Sequence, residues 1–219
     1  VSDLTNAGAT AKYTVYQLPA ESPNHGSRKV VTDGQYPTVS PFGWHDTDGV
    51  NGPEYTITRG NNVYAYQDKD DDDLSDGPDT DGGTELNFDF PIDFTKDPRE
   101  SAHAAVTNLF YMVNMMHDVT SLIGFNEEFG NFQATNFSGK YDDGDYVLAQ
   151  AFDGITKHEA GTDKDANGNP TKINNANFST PIDGFNGRMQ MYFWDNSGGA
   201  VSIDSPESIK GFVDYGTAG

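Results

Sequence analysis

Residues 11–16 and 62–66 alternate apolar with polar positions, the period of half-buried strands, and 29–32 reads as a third short strand. Pro37, Pro41, Gly43, Gly49 and Pro53 break the chain between them into turns. A further strand is predicted at 146–152. Residues 174–179 follow as a polar, edge-like strand and 181–187 as a Pro/Gly turn. In 188–194, Met189, Met191 and Phe193 alternate against Gln190, Tyr192 and Trp194. An edge strand can add a peptide to its own sheet through main-chain hydrogen bonds.

Between these strands lies one long helix. Asp97 is a good N-cap, Pro98 suits the first helical position, and Glu100 stands where a capping box places it. Ala102, Ala105, Val106, Leu109, Val113, Met116, Thr120 and Ile123 recur at threes and fours, which predicts one buried stripe. Gly124 is a natural stop, and the rod would be about 39 Å long. The pattern as a whole is α+β. Its longer polar stretches are an acidic loop at 68–83, Asn/Gly/Phe-rich loops at 125–145, and a polar insertion at 153–172.

Composition narrows the partners. The 219 residues include 34 acidic and 13 basic side chains, a net charge of −21, so a polyanion such as nucleic acid would be repelled. With 14 Phe and 11 Tyr the chain has the rings for a real core. Zero cysteines exclude disulfides and thiolate zinc sites. No apolar run approaches the ~18 residues of a membrane span. The first residues, Val1-Ser2-Asp3-Leu4, lack the features of a signal peptide, so an exported protein would already have lost its leader and pro-segment.

The histidines offer no zinc motif. His158-Glu159 imitates the start of one, but the residue four after His158 is Thr162. His103 and His117 share the helix ~21 Å apart, too far to chelate one ion. For these and for His25 and His45, hydrogen bonding to a neighbour is the expected role. His117, with Asn114 and Asp118, is expected to hold loops around the helix end; a supporting position behind a metal site is the alternative.

Two acidic segments have calcium-like spacing. Asp163, Asp165, Asn167 and Asn169 supply oxygens around Gly168, although the twelfth position is Asn174 instead of a bidentate Glu. Asp68, Asp70 and Asp72, continued by Asp76 and Asp79, fall on the same spacing, with Asp73 where the turn favours Gly. Solvated or disordered acidic loops are the alternative for both.

Several stretches together resemble the fungalysin-type secreted zinc metallopeptidases, distant relatives of thermolysin. They are GSRKVV (26–31), SPFGWH (40–45), TRGNNV (58–63), NLFYMVNMMHD (108–118), GF (124–125), GNFQ (130–133), YVLAQAFD (146–153) and NNANFSTPIDGFNGRMQMYFW (174–194). The resemblance implies that residues 1–196 form the β-rich N-terminal lobe of a thermolysin-like catalytic domain, with the long helix behind the cleft. Residues 197–219 would be a linker and the start of an inserted protease-associated domain. By the same resemblance, Asn175, Ala176 and Asn177 hold the substrate backbone. The zinc ligands and the His-Glu-x-x-His motif would come from polypeptide after residue 219, leaving this chain inactive by itself. Its partners would then be the C-terminal portion of the same extracellular protease and a peptide substrate. A calcium-stabilised extracellular binding or adhesion module without catalysis is the competing class.

Overall fold

This computed structural model describes residues 10–20, 23–50 and 52–194. The elements run β1 (Lys12–Val15), β2 (Lys29–Thr32), β3 (Val63–Gln67), β4 (Asn87–Phe88), α1 (Ala102–Leu122), β5 (Val147–Ala151), α2 (Ile155–Glu159), β6 (Ala176–Ser179) and β7 (Arg188–Met191). The first sheet has the order β2-β1-β4 and the second β3-β5-β7-β6. In the second, β3, β5 and β7 are parallel, while β6 folds back antiparallel on β7. The α+β class expected from the sequence is the class observed. The expected tail at 197–219 lies outside the described residues.

The helix departs from its expected form at its N-terminal end. Asp97 does accept from the Arg99 amide at 2.9 Å, but it opens a 3-10 turn at Pro98–Ser101, and α1 begins only at Ala102. Its 21 residues span about 31 Å. Gly124, at φ +117°, follows the end of the helix as the sequence suggested.

Nor is one stripe buried. From Ala104 to Asn114 every residue is buried, because α1 lies between the two sheets and touches β1 as well as β3 and β5. Asn108 Oδ1 accepts from the Tyr16 amide at the end of β1 (2.9 Å), and Asn114 Oδ1 accepts from Asn62 Nδ2 at the start of β3 (3.1 Å). Leu109 and Phe110 are fully buried, each contributing ~1.5–3 kcal/mol. Toward the end of the helix, Met116 and Ile123 of the expected apolar face are exposed, as is Leu122.

An aromatic cluster fills the space between the first sheet and α1. Tyr13 stacks on Phe88 (centroids 5.4 Å), His45 stacks on Phe88 and Phe110 (5.3 and 5.0 Å), and Trp44 meets Tyr111 edge-on at 5.8 Å. The second sheet turns Val63, Ala65, Val147, Ala149, Ala151 and Met191 toward the helix.

Candidate functional site

The β6–β7 hairpin forms at the open end of the second sheet, and among the described residues β6 has β7 as its one sheet neighbour. The strand starts at Ala176, because Asn174 has a left-handed backbone (φ +53°) that extended structure does not admit. Asn175 O accepts from the Tyr192 amide at 3.2 Å. In an antiparallel ladder, alternate residues then face the partner, namely Asn175, Asn177 and Ser179. The peptide groups of Ala176 and Phe178 therefore point to the open side. The Ala176 N–H is held by the side chain of its own neighbour, Asn175 Oδ1, at 2.9 Å.

The side chains divide by strand alternation. Phe178 lies on the helix-facing side against Phe132 (5.6 Å), though it remains 42% exposed. Asn177 lies on the other side and donates to Gln190 Oε1 (3.0 Å) and Tyr192 Oη (2.7 Å).

That second side is polar yet covered. Gln150 and Gln190 are buried, since the acidic loop at 68–76 folds over them. Gln150 donates to Tyr66 Oη and Asp73 Oδ1 (3.1 and 3.0 Å), and Gln190 donates to Asp153 Oδ2 (2.6 Å). Three cations pin the loop. Lys157 and Lys172 each reach Asp71 at 2.7 Å, Lys172 also reaches the buried Asp153 at 3.2 Å, and Arg188 pairs with Asp73. Burial raises the Asp153 carboxyl above its usual range, and Lys172 pulls it back down. The tightly docked second face makes the sheet a rigid support for β6.

Of the expected calcium ligands, Asp68 and Asp70 converge with Asp76, their carboxylate oxygens all within 4.8 Å of one another. Asp72 instead faces the Leu74 amide (2.9 Å). The departure from the expected spacing has a backbone cause: Asp71 and Asp73 take φ of +60° and +65°, which winds the loop differently from one with Gly at its sixth position. Burial pushes Asp68 up to about 6, against the amides of Asp72 and Asp73 that hydrogen-bond it and pull it down. In the other segment, Asp165 accepts from the amides of Asn167 and Asn169, both at 2.8 Å. Asp163 is buried against His158 Nδ1 and the Lys172 amide, both at 3.1 Å.

Sequence reasoning missed a further trio, Asp46, Asp48 and Glu54, whose oxygens also converge within 4.8 Å. The signal was there in Asp46-Thr47-Asp48-Gly49, but three donors in one segment fell short of a recognisable loop.

The histidines are tied to separate neighbours. His45 Nδ1 meets Arg59 O (3.0 Å) and its Nε2 meets Tyr13 Oη (2.8 Å). Burial lowers it to about 4, so it is neutral at pH 7. His103 pairs with Thr80 Oγ1 (3.0 Å), and His117 with Asp118 (3.0 Å) and Asn131 (3.1 Å). The two acidic trios contain no histidine among the described residues. As all-oxygen sets they suit a hard cation such as calcium better than zinc.

The profile of the fungalysin metallopeptidase family matches residues 12–207. The extracellular metalloproteinase of Pyrenophora tritici-repentis is 36% identical over 200 residues, which is 90% of this chain and 28% of that protein. Extracellular metalloproteinase 5 of Trichophyton tonsurans is 35% identical over 194 residues, 89% of this chain and 29% of that one. The probable extracellular metalloproteinase 5 of Trichophyton verrucosum is 38% identical over 198 residues, again 89% of this chain and 28% of its own length. The chain thus spans little more than a quarter of the curated relatives it matches. It belongs to the fungalysin metallopeptidase family.

Proposed function

We propose that this chain is the N-terminal part of a secreted zinc endopeptidase, and that β6 receives the substrate peptide as an added strand. One observation carries the reading: among the described residues β6 is outermost in its sheet, with the peptide groups of Ala176 and Phe178 turned to its open side. Asn175 and Asn177 flank those groups. Asn177 is fixed by Gln190 and Tyr192, while the exposed Asn175 covers the Ala176 N–H until a substrate carbonyl takes its place.

The described residues do not fit a zinc site, since their histidines are dispersed. Zinc and the groups that work on the scissile bond are assigned to the polypeptide that follows, which is also the proposed partner. The exposed Met116, Leu122 and Ile123 on α1, and Ile182 and Phe185 in the hairpin turn, offer that partner an apolar surface. Extracellular names among the relatives support secretion. Among the described residues no helix is long and apolar enough to cross a membrane.

Calcium is proposed at Asp68, Asp70 and Asp76, with Asp72 beside them. The loop of Asp163, Asp165, Asn167 and Asn169 is the lesser candidate, because Asp165 already serves its own backbone.

Ala176→Pro in the full-length protease tests the edge. Proline deletes the N–H, whose internal partner is one exposed side chain, so the fold should survive. Peptide hydrolysis should lose about 1–3 kcal/mol of transition-state stabilisation, read as kcat/KM. A folded variant with unchanged kcat/KM would refute substrate addition at β6.

A further inference from the structure

We propose that Asp46, Asp48 and Glu54 form a calcium site on the loop between Trp44 and β3. It lies against the first sheet, away from the β6 edge.

Two independent observations meet here. The three carboxylates each bring an oxygen within 4.8 Å of the others, close to twice a calcium–oxygen distance of about 2.4 Å. Separately, Asp46 is 1% exposed, and its Oδ2 has no hydrogen-bond partner. Buried carboxylate oxygens are otherwise satisfied by a donor or a cation. Asp46 Oδ1 takes the Gly49 amide, at 2.7 Å.

No protein cation answers that charge. The adjacent ring, His45, has both nitrogens engaged elsewhere, Nδ1 with Arg59 O and Nε2 with Tyr13 Oη. Among the described residues no Lys, Arg or His forms an ion pair with Asp46, and its nearest charged companions are the carboxylates of Asp48 and Glu54.

The loop holds the trio in place without using it up. Asp48 Oδ1 accepts from the Val50 amide (2.8 Å), and Glu54 Oε2 from the Thr47 amide and Thr47 Oγ1 (3.2 Å for the hydroxyl). The Glu54 amide returns to His45 O at 3.1 Å and closes the loop. Each carboxylate keeps lone pairs to spare. Asp48 and Glu54 are exposed, so water can complete the six to eight oxygens calcium takes; magnesium, which demands a tight octahedron, fits this open arrangement less well. A cavity of about 30 Å³, lined in part by Gly43, Trp44, His45 and Asp46, adjoins the buried end.

Calorimetric titration of chelator-treated, full-length protein with calcium chloride tests the site. The surface variants Asp48→Asn and Glu54→Gln should each weaken one calcium-binding step at least tenfold, and Asp76→Asn should leave that step unchanged. Asp46→Asn should raise Tm in chelator, by removing the unpaired buried charge, and lose the calcium-dependent rise that belongs to this loop. Wild-type calcium affinity and stoichiometry in both surface variants would overturn the proposal, as would magnesium saturating the same step equally well. Should Asp46→Asn not fold, the two surface variants decide the matter.

Discussion

Asp118→Asn offers the sharpest test of how α1 is fixed in place. The buried carboxylate takes four hydrogen bonds: Ser40 Oγ (2.7 Å) and His117 Nδ1 (3.0 Å) on Oδ1, the Tyr36 amide (2.9 Å) and Trp44 Nε1 (3.1 Å) on Oδ2. Together they bind loop 36–44 to the last turns of the helix. Asparagine keeps the shape but replaces one oxygen by an NH₂ group. Turned toward Tyr36 and Trp44, that group meets two N–H donors that cannot rotate away. Turned the other way, it meets His117, whose Nε2 accepts from Asn131 Nδ2 (3.1 Å) and whose Nδ1 is therefore the donor. Ser40 alone can adapt. The variant loses at least one charge-assisted bond and converts the rest to neutral ones, a cost of about 3 kcal/mol. For a domain of this size that lowers Tm by about 6–12 °C. Thermal unfolding followed through the near-ultraviolet signal of Trp44 reads it. A loss below about 1 kcal/mol, with the Trp44 signal unaltered, would show that the carboxylate is not what anchors this loop.

Gly60→Ala should destabilise by about 3 kcal/mol or more, because the new Cβ would lie 1.7 Å from Trp44 O and main chain must move; a variant with wild-type Tm would contradict this close approach. Lys172→Met should cost about 3 kcal/mol by leaving Asp153 buried and unpaired, and adding Asp153→Asn should recover most of it in the same Tm measurement. Asp76→Asn should shrink the rise in Tm that calcium produces over chelator, since ions bound only by the folded state stabilise it; an undiminished rise would remove calcium from the 68–76 loop.

The parts legible in the sequence are those where the chain's own pattern decides. Alternation located β1, β3, β5 and the β6–β7 hairpin, and spacing with a terminal glycine located α1. What stayed hidden depends on residues far apart in sequence. Gln150 and Gln190 are polar strand positions whose burial under loop 68–76 no local pattern gives, because Lys157, Lys172 and Arg188 from much later in the chain hold that loop. Burial around α1 likewise reflects two sheets, while its periodicity reports only one face. The two-residue β4 and five-residue α2 are too short to carry a period. Which members of the expected Asp68–Asp79 run converge, Asp68, Asp70 and Asp76 and not Asp72, depends on a loop path with two left-handed aspartates that spacing does not announce.

The strand order of the second sheet also sets a timetable. β3 waits for β5, with α1 and both flanking loops between them, and β5 waits in turn for β7. The first sheet and α1 are local enough to associate early. The edge of β3 that β5 will cover stays bare until β5 emerges. At ~5–20 residues synthesised per second, that interval lasts roughly 4–16 s, long compared with hydrophobic collapse. Non-local parallel pairing is slow even in a finished chain. The parallel order of this sheet therefore leaves a nascent molecule with an unpaired strand edge. Such an edge is a template for wrong pairing, so the order in which strands emerge exposes this sheet to misassembly that its finished form no longer shows.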